Sequence, residues 1–291
     1  MTHLVGYSPH SADTGAIELA CQLARAESAP VHALTVVPRG WETVAGSATD
    51  GDFEQWAAEE GEDCATAALA ELAKHPDVAS TATWVTGRSV PAEILNQARM
   101  LNATMIVVGS GDEGPVGEVT LTSKVDRLLH SSHLPVAIAP RDYLPAADAR
   151  VTRITLAFRD DDATWKLLDQ VAEISVRVGA ELRLLTVALR NRSMVTSPVR
   201  SNEKLVFERL LQQVGAAQAE AVAHLADGGV TATAVVATGK SWREALRSVE
   251  FRAGDVLVVG SSSTIGLSSV FLGSSAAKVV RNSPVPVVVV P

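Results

Sequence analysis

The run VVGS at 107–110 returns as VVGS at 258–261, and SSHLPVAIAP at 131–140 returns as NSPVPVVVVP at 282–291. One shift of 151 residues aligns both pairs, and in the window 106–140 set against 257–291 it leaves 11 of 35 positions identical. The same shift sets LTVV (34–37) on LTVA (185–188) and LVGY (4–7) on TLAF (155–158). Self-similarity at one long period marks a duplicated unit. The junction falls in the Pro-, Ala- and Asp-rich segment PRDYLPAADAR, 140–150, which predicts two domains, 1–145 and 146–291.

Each copy alternates strand and helix. In the first, strands are expected near 4–7, 31–37, 80–86, 105–109 and 135–139, with helices near 13–27, 51–74, 90–102 and 122–131. In the second, strands are expected near 153–158, 181–188, 231–237, 255–260 and 285–290, with helices near 162–179, 203–226, 241–252 and 274–281. MIVVG and DVLVVG are short β-branched runs without polar alternation, the pattern of strands buried on both faces. Two-faced burial requires helices on both sides, so the fold class is α/β: two tandem doubly wound domains, each a five-stranded parallel sheet. With strand order 3-2-1-4-5, ligands bind beyond the carboxyl ends of strands one and four, where the order reverses. That selects Ser8 and Gly109 in the first copy and Arg159 and Gly260 in the second.

Composition narrows the function. Hydrophobic residues make up 47% of the 291 and charged residues 20%, enough for two packed cores. The net charge of −8 argues against a general affinity for DNA or RNA, whose phosphates demand clustered Lys and Arg. Two cysteines, Cys21 and Cys64, form neither a disulfide framework nor a metal motif, and no apolar run approaches the roughly 20 residues a bilayer requires. The opening MTHLVGYSPH lacks a signal-peptide pattern, and a reducing cytoplasm is the expected compartment.

The five-strand alternation, the VVGS ending of the fourth strand, the long Ser/Gly loop closing on LGS and the final Pro-Val strand resemble the universal stress proteins in their tandem, two-domain form. The resemblance covers nearly the whole chain. Family members that bind ATP carry Gly, two residues, Gly, nine residues, then Gly-Ser or Gly-Thr, with an Asp at the end of the first strand. By resemblance the second copy would hold a nucleotide with Gly260, Ser261, Ser263, Gly273, Ser274 and Ser275, beside Arg159 and Val187. One of the motif's three glycines has become Ser263, and Arg159 stands where the Asp would be. The degenerate counterparts in the first copy are Ser8, Gly109, Asp112, Thr122, Ser123 and Val36, where two of the three glycines are gone.

The two copies differ in charge. Residues 1–150 hold 9 Lys and Arg against 20 Asp and Glu, net −11, while 151–291 hold 16 against 13, net +3. Between Gly109 and Ser123 stand Asp112, Glu113 and Glu118 and no basic residue, so a triphosphate is expected to meet three carboxylates there. Between Gly260 and Ala277 there is no charge, which leaves Gly273, Ser274 and Ser275 to open a helix with free N–H groups. Any phosphate is therefore expected in the second domain. Arg159 can serve as an anion contact, although a pair with Asp160, Asp161 or Asp162 is the preferred reading.

Other candidates are weaker. GKS at 239–241 lacks the earlier glycine of a P-loop and matches GRS at 87–89, so it reads as a strand-to-helix turn. His130 and His133 lie at a helix end without a third ligand, so no metal is expected. RNRSMVTSPVRSNEK (190–204) carries Arg190, Arg192 and Arg200 beside the second mouth, whereas its first-copy counterpart is acidic. Trp56, aligned with Phe207, and Trp41 read as core or interface rather than as a stacking platform. The apolar last strands, VPVVVVP and LPVAIAP, are expected to pair with each other within the chain, a homodimer being a further possibility.

The expected function is a stress-response regulatory or binding protein holding an adenine nucleotide, ATP with Mg or a relative, in the second domain without efficient catalysis. Two alternatives stand beside it. One is a universal stress protein that binds no nucleotide and acts through protein–protein interaction, and the other is a slow ATPase or adenylate-handling enzyme.

Overall fold

The computed structural model describes residues 2–8, 13–39, 48–111, 113–190, 200–261 and 273–291. The chain divides into two compact units, the first spanning Met1–Arg150 and the second beginning at Val151. The first unit runs β1 (His3–Gly6), α1 (Gly15–Glu27), β2 (Val31–Pro38), α2 (Ala48–Leu72), β3 (Ser80–Gly87), α3 (Val90–Met100), β4 (Met105–Val108), α4 (Ser123–Ser131) and β5 (Val136–Ile138). The second repeats this as β6 (Arg153–Ala157), α5 (Asp162–Val178), β7 (Glu181–Leu189), α6 (Arg200–Asp227), β8 (Ala232–Gly239), α7 (Trp242–Arg247), β9 (Asp255–Gly260), α8 (Ser274–Arg281) and β10 (Val287–Val290).

The strand order is β3-β2-β1-β4-β5 in the first unit and, in the same sense, β8-β7-β6-β9-β10 in the second. The strand pairs within each unit are parallel, with Val5 beside Ala33 and Val107, and Leu156 beside Leu184 and Val258. Order 3-2-1-4-5, read from the sequence, is therefore the order found. The central strands are sealed on both faces: Leu4, Val5, Ile106, Val107, Leu156 and Leu257 have no more than 0% exposure. Each such side chain stabilises its unit by about 1.5–3 kcal/mol of apolar burial.

Local chemistry sets the helix ends. Asp161 caps α5 by accepting from the Thr164 N–H at 2.9 Å, and Gly179 ends it at φ 68°, a left-handed turn that a glycine adopts without strain. Ser241 caps α7 by accepting from the Glu244 N–H, while the Glu244 carboxylate accepts from the Lys240 N–H at 3.0 Å. The GKS segment is thus a helix-capping turn, closed so tightly that a Cβ on Gly239 would stand 2.6 Å from the Ala245 nitrogen.

Helix α7 stops at Arg247, five residues short of the expected 252. The reason is tertiary: the Glu250 carbonyl turns to accept from Arg153 Nη2 at 3.1 Å and Arg183 Nη1 at 2.8 Å. Both guanidiniums are buried at the amino edge of the second sheet, where Arg153 also donates to Asp255 from Nε at 2.9 Å. Arg183 lies over the Phe251 ring at 4.9 Å, and its Nη2 is 3.7 Å from the same Asp255 carboxylate. Burial first, then the charge of Arg153, push the Arg183 pKa below its ordinary value. One carboxylate therefore serves two buried cations. Asp255→Ala is expected to lower the unfolding free energy by about 3–5 kcal/mol, because it strands both charges. Urea denaturation measures this, and a loss below about 1 kcal/mol, the range of an exposed ion pair, would show that the cluster is solvated.

Candidate functional site

In the first unit the strand order reverses between β1 and β4, and a cleft of about 420 Å³ opens there beyond their carboxyl ends. Gly6, Ser8, Val36, Gly109 and Thr122 line it, so the topology brings most of the predicted first-domain residues together. Ser123 opens α4 directly behind Thr122 and is not itself a lining residue. Asp112 lies outside the described residues.

Of the three carboxylates expected here, the two that are described, Glu113 and Glu118, do not line the cleft, whereas Lys124, Asp13 and Glu60 do. The loop after Gly109 turns in on itself. Ser110 pins that turn: its hydroxyl accepts from the Thr120 N–H at 2.6 Å. The Gly111 N–H donates to the Thr120 carbonyl at 3.0 Å, and the Gly117 N–H donates to the Arg141 carbonyl at 2.9 Å. Arg141 closes the far side by donating from Nη1 to the Gly114 carbonyl at 2.5 Å. Thr122 then caps α4 by accepting from the Val125 N–H at 3.2 Å.

Three lining residues that motif reading missed come from α2. Trp56, Glu60 and Cys64 recur every fourth position, so they share one helix face, and that spacing was the available signal. Trp56 is 48% exposed and borders the cleft, so it is not a core residue. Burial, followed by the Glu60 carboxylate, pushes the Cys64 thiol up to about 11, so it stays protonated at neutral pH. The Asp13 carboxylate accepts from the Gly15 N–H at 2.7 Å and from the Asp142 N–H at 3.1 Å. It sits at the entrance to α1, where the helix dipole favours an anion.

In the second unit the corresponding point lies between β6 and β9. Gly260 ends β9, and a Cβ there would come within 2.9 Å of Leu167 Cδ2, so a side chain at this position would require Leu167 to shift. The Ser261 N–H donates to the Val290 carbonyl at 2.8 Å. Helix α8 opens with Gly273 as its N-cap at φ −57° and ψ 157°, and no side chain caps it. Ser274 and Ser275 follow, both exposed. Ser263 lies outside the described residues, as do Trp41 and Arg192.

Arg159 is exposed and pairs with Asp161 through Nε, the partner class read as preferred in the sequence. Burial alone would raise the Asp161 carboxyl, but the Thr164 N–H and hydroxyl and the Arg159 guanidinium outweigh it and hold the pKa below its usual value. Asp160 accepts from the Trp165 indole at 2.9 Å. Val187 is half-buried near the end of β7, and Arg190 lies over the Phe207 ring at 5.0 Å. His130 hydrogen-bonds through Nδ1 with the Asp126 carbonyl at 2.6 Å within α4, and among the described residues no group of His, Cys, Asp and Glu could hold a metal ion.

A parallel α/β unit of order 3-2-1-4-5 written twice defines a two-domain, doubly wound α/β protein. The universal stress protein family matches residues 1–140 and again 150–291. The chain belongs to the universal stress protein family, and this makes it a stress-response protein. It is 33% identical over 300 residues, with the full length of both chains covered, to universal stress proteins of Mycobacterium tuberculosis and Mycobacterium bovis. Among solved structures it resembles a universal stress protein from Archaeoglobus fulgidus, with a TM-score of 0.64 and 18% identity, covering 99% of this chain and 97% of the other. A putative universal stress protein from Pseudomonas aeruginosa gives 0.55 and 17%, covering 99% and 92%. Both likenesses concern the fold. Among the described residues no helix is long and apolar enough to cross a membrane.

The two helix starts predict different responses. Thr122→Ala is expected to cost about 1 kcal/mol, because it orphans the Val125 N–H, whereas Thr122→Ser retains the cap. Urea unfolding of the two variants tests this, and equal losses would remove the capping assignment.

Proposed function

We propose that the chain is a stress-response regulatory protein that takes up an adenine nucleotide, as its Mg complex, in the second domain and turns it over slowly or not at all. One observation carries this reading. The first turn of α8 begins at a glycine N-cap with no side-chain cap, so its leading N–H groups are left for an anion, whereas Thr122 occupies the same place on α4. The second half is also the cationic one, with 16 Lys and Arg against 13 Asp and Glu. Gly260 and Ser261 would approach the phosphates from the strand side, Gly273, Ser274 and Ser275 from the helix side, and Val187 would border the base.

Slow turnover is the reading that two of the three acids at this mouth support. Asp161 is committed to the α5 cap and to Arg159, and Asp160 to Trp165, while Asp162 opens the first turn of α5. Both cysteines are free and buried, and the Cys21 thiol is pushed up to about 12, first by burial, so neither serves as a nucleophile. Free thiols also suit the reducing cytoplasm. Pairing of the last strands of the two domains, and association of two chains, belong to the same proposal.

Isothermal titration with Mg-ATP, ADP and AMP tests it. Gly273→Asp is expected to weaken binding by more than about tenfold, since a carboxylate would occupy the phosphate position, while the fold survives because Asp is a good N-cap. Thr122→Asp is expected to leave binding unchanged. Equal losses in the two variants, or no binding by the unaltered protein at millimolar nucleotide, would refute the assignment.

A further inference from the structure

We propose that the cleft of the first domain binds a small ring compound that carries an amine and no phosphate. The two domains would then answer to different ligand classes, a step beyond the nucleotide reading and independent of it.

A phosphate needs several convergent donors, and the loop of this mouth turns many of its own inward. The N–H groups of Gly111, Gly117, Thr120 and Val125 donate to the Thr120 carbonyl, the Arg141 carbonyl, the Ser110 hydroxyl and the Thr122 hydroxyl. Gly114 and Glu118 donate back to Gly111 and Pro115 within the same loop. Loosening them is not free, because Thr120 packs onto Gly114 so closely that a Cβ there would stand 1.9 Å from its hydroxyl oxygen. The loop is folded for its own satisfaction.

The cleft nevertheless stays open. Its volume of about 420 Å³ lies in the range of small-molecule sites, and Ile17, Leu34, Val36, Pro38, Ile94 and Leu128 give it apolar walls. Such walls favour a ring. Among the described residues its charged lining is two carboxylates, Asp13 and Glu60, and one ammonium, Lys124. Asp13 accepts from the Gly15 and Asp142 N–H groups, and Glu60 accepts from the Cys64 thiol at 3.6 Å. Tyr7 also lines the cleft, and its pKa is raised first by burial and then by Glu71. A phosphate would enter against this field, and an amine with it.

The full-length protein, followed by backbone amide NMR, decides the matter with three probes that share one ring: benzylamine, benzyl alcohol and benzyl phosphate. Benzylamine is expected to shift the amides of Gly6, Thr35 and Ser110 with the highest affinity, benzyl alcohol less, and benzyl phosphate at least about tenfold more weakly than benzylamine. Gly109→Leu fills the cleft, since the nearest atom to its Cβ is that of Ala16 at 3.8 Å, and it is expected to abolish these shifts. Should that variant lose its native spectrum, Val36→Trp obstructs the same space from β2. Asp13→Asn is expected to weaken benzylamine and leave benzyl alcohol unchanged. The proposal falls if benzyl phosphate binds these amides as tightly as benzylamine, if none of the three probes shifts them, or if filling the cleft leaves binding intact. None of these outcomes bears on Gly273, so failure here and failure of the nucleotide reading are separately visible.

Discussion

Everything in this protein depends on burying both faces of a parallel sheet. A strand covered above and below can be reached by a ligand only at its ends, and the helices that cover it must start and stop there. With order 3-2-1-4-5, crossovers leave β1 on one side and β4 on the other, so the two strand ends part and a mouth forms. Gly109 and Gly260 stand at that point, after β4 and at the end of β9. The chain makes this construction twice.

Duplication then frees the copies to diverge, and the divergence is a matter of where hydrogen bonds go. In the first mouth the loop between β4 and α4 satisfies itself: Ser110 and Thr122 hydroxyls take N–H groups that a phosphate would otherwise claim. Of the two, Thr122 stands where the other copy has Gly273, whereas Ser110 matches Ser261. Together they close the turn beneath an apolar cleft. In the second unit α8 keeps an uncapped glycine start. A helix end must find a partner for its leading N–H groups, whether water or an anion.

The segment 140–150 has more than a connecting role within the first unit. Arg141 grips the Gly114 carbonyl, the Asp142 N–H donates to Asp13, and the Tyr143 hydroxyl donates to Gln22 at 2.6 Å. These contacts hold the loop and the α1 entrance on either side of the cleft. A Pro- and Ala-rich composition reads as a linker, yet its hydrogen bonds make it part of the wall. The buried pair of arginines around Asp255 shows the same principle in the second unit, where a carbonyl needed at Glu250 ends α7 early.

The sequence by itself determined the duplication, the two parallel sheets, their strand order and the position of the first mouth, because two-faced burial writes itself into local composition as runs such as VVGS and PVVVV. It also determined which copy is acidic and which basic. Only the tertiary structure decided what each mouth contains. Asp13 meets Asp142 across 129 residues, Arg141 meets Gly114, and α2 turns Trp56, Glu60 and Cys64 toward the cleft. No window of sequence contains both partners of such a contact. Charge counted along the loop therefore placed Glu113 and Glu118 in the mouth and overlooked Lys124. Periodicity reports which face of an element is buried; the direction of a loop carbonyl or carboxylate is set by partners that the fold brings from elsewhere.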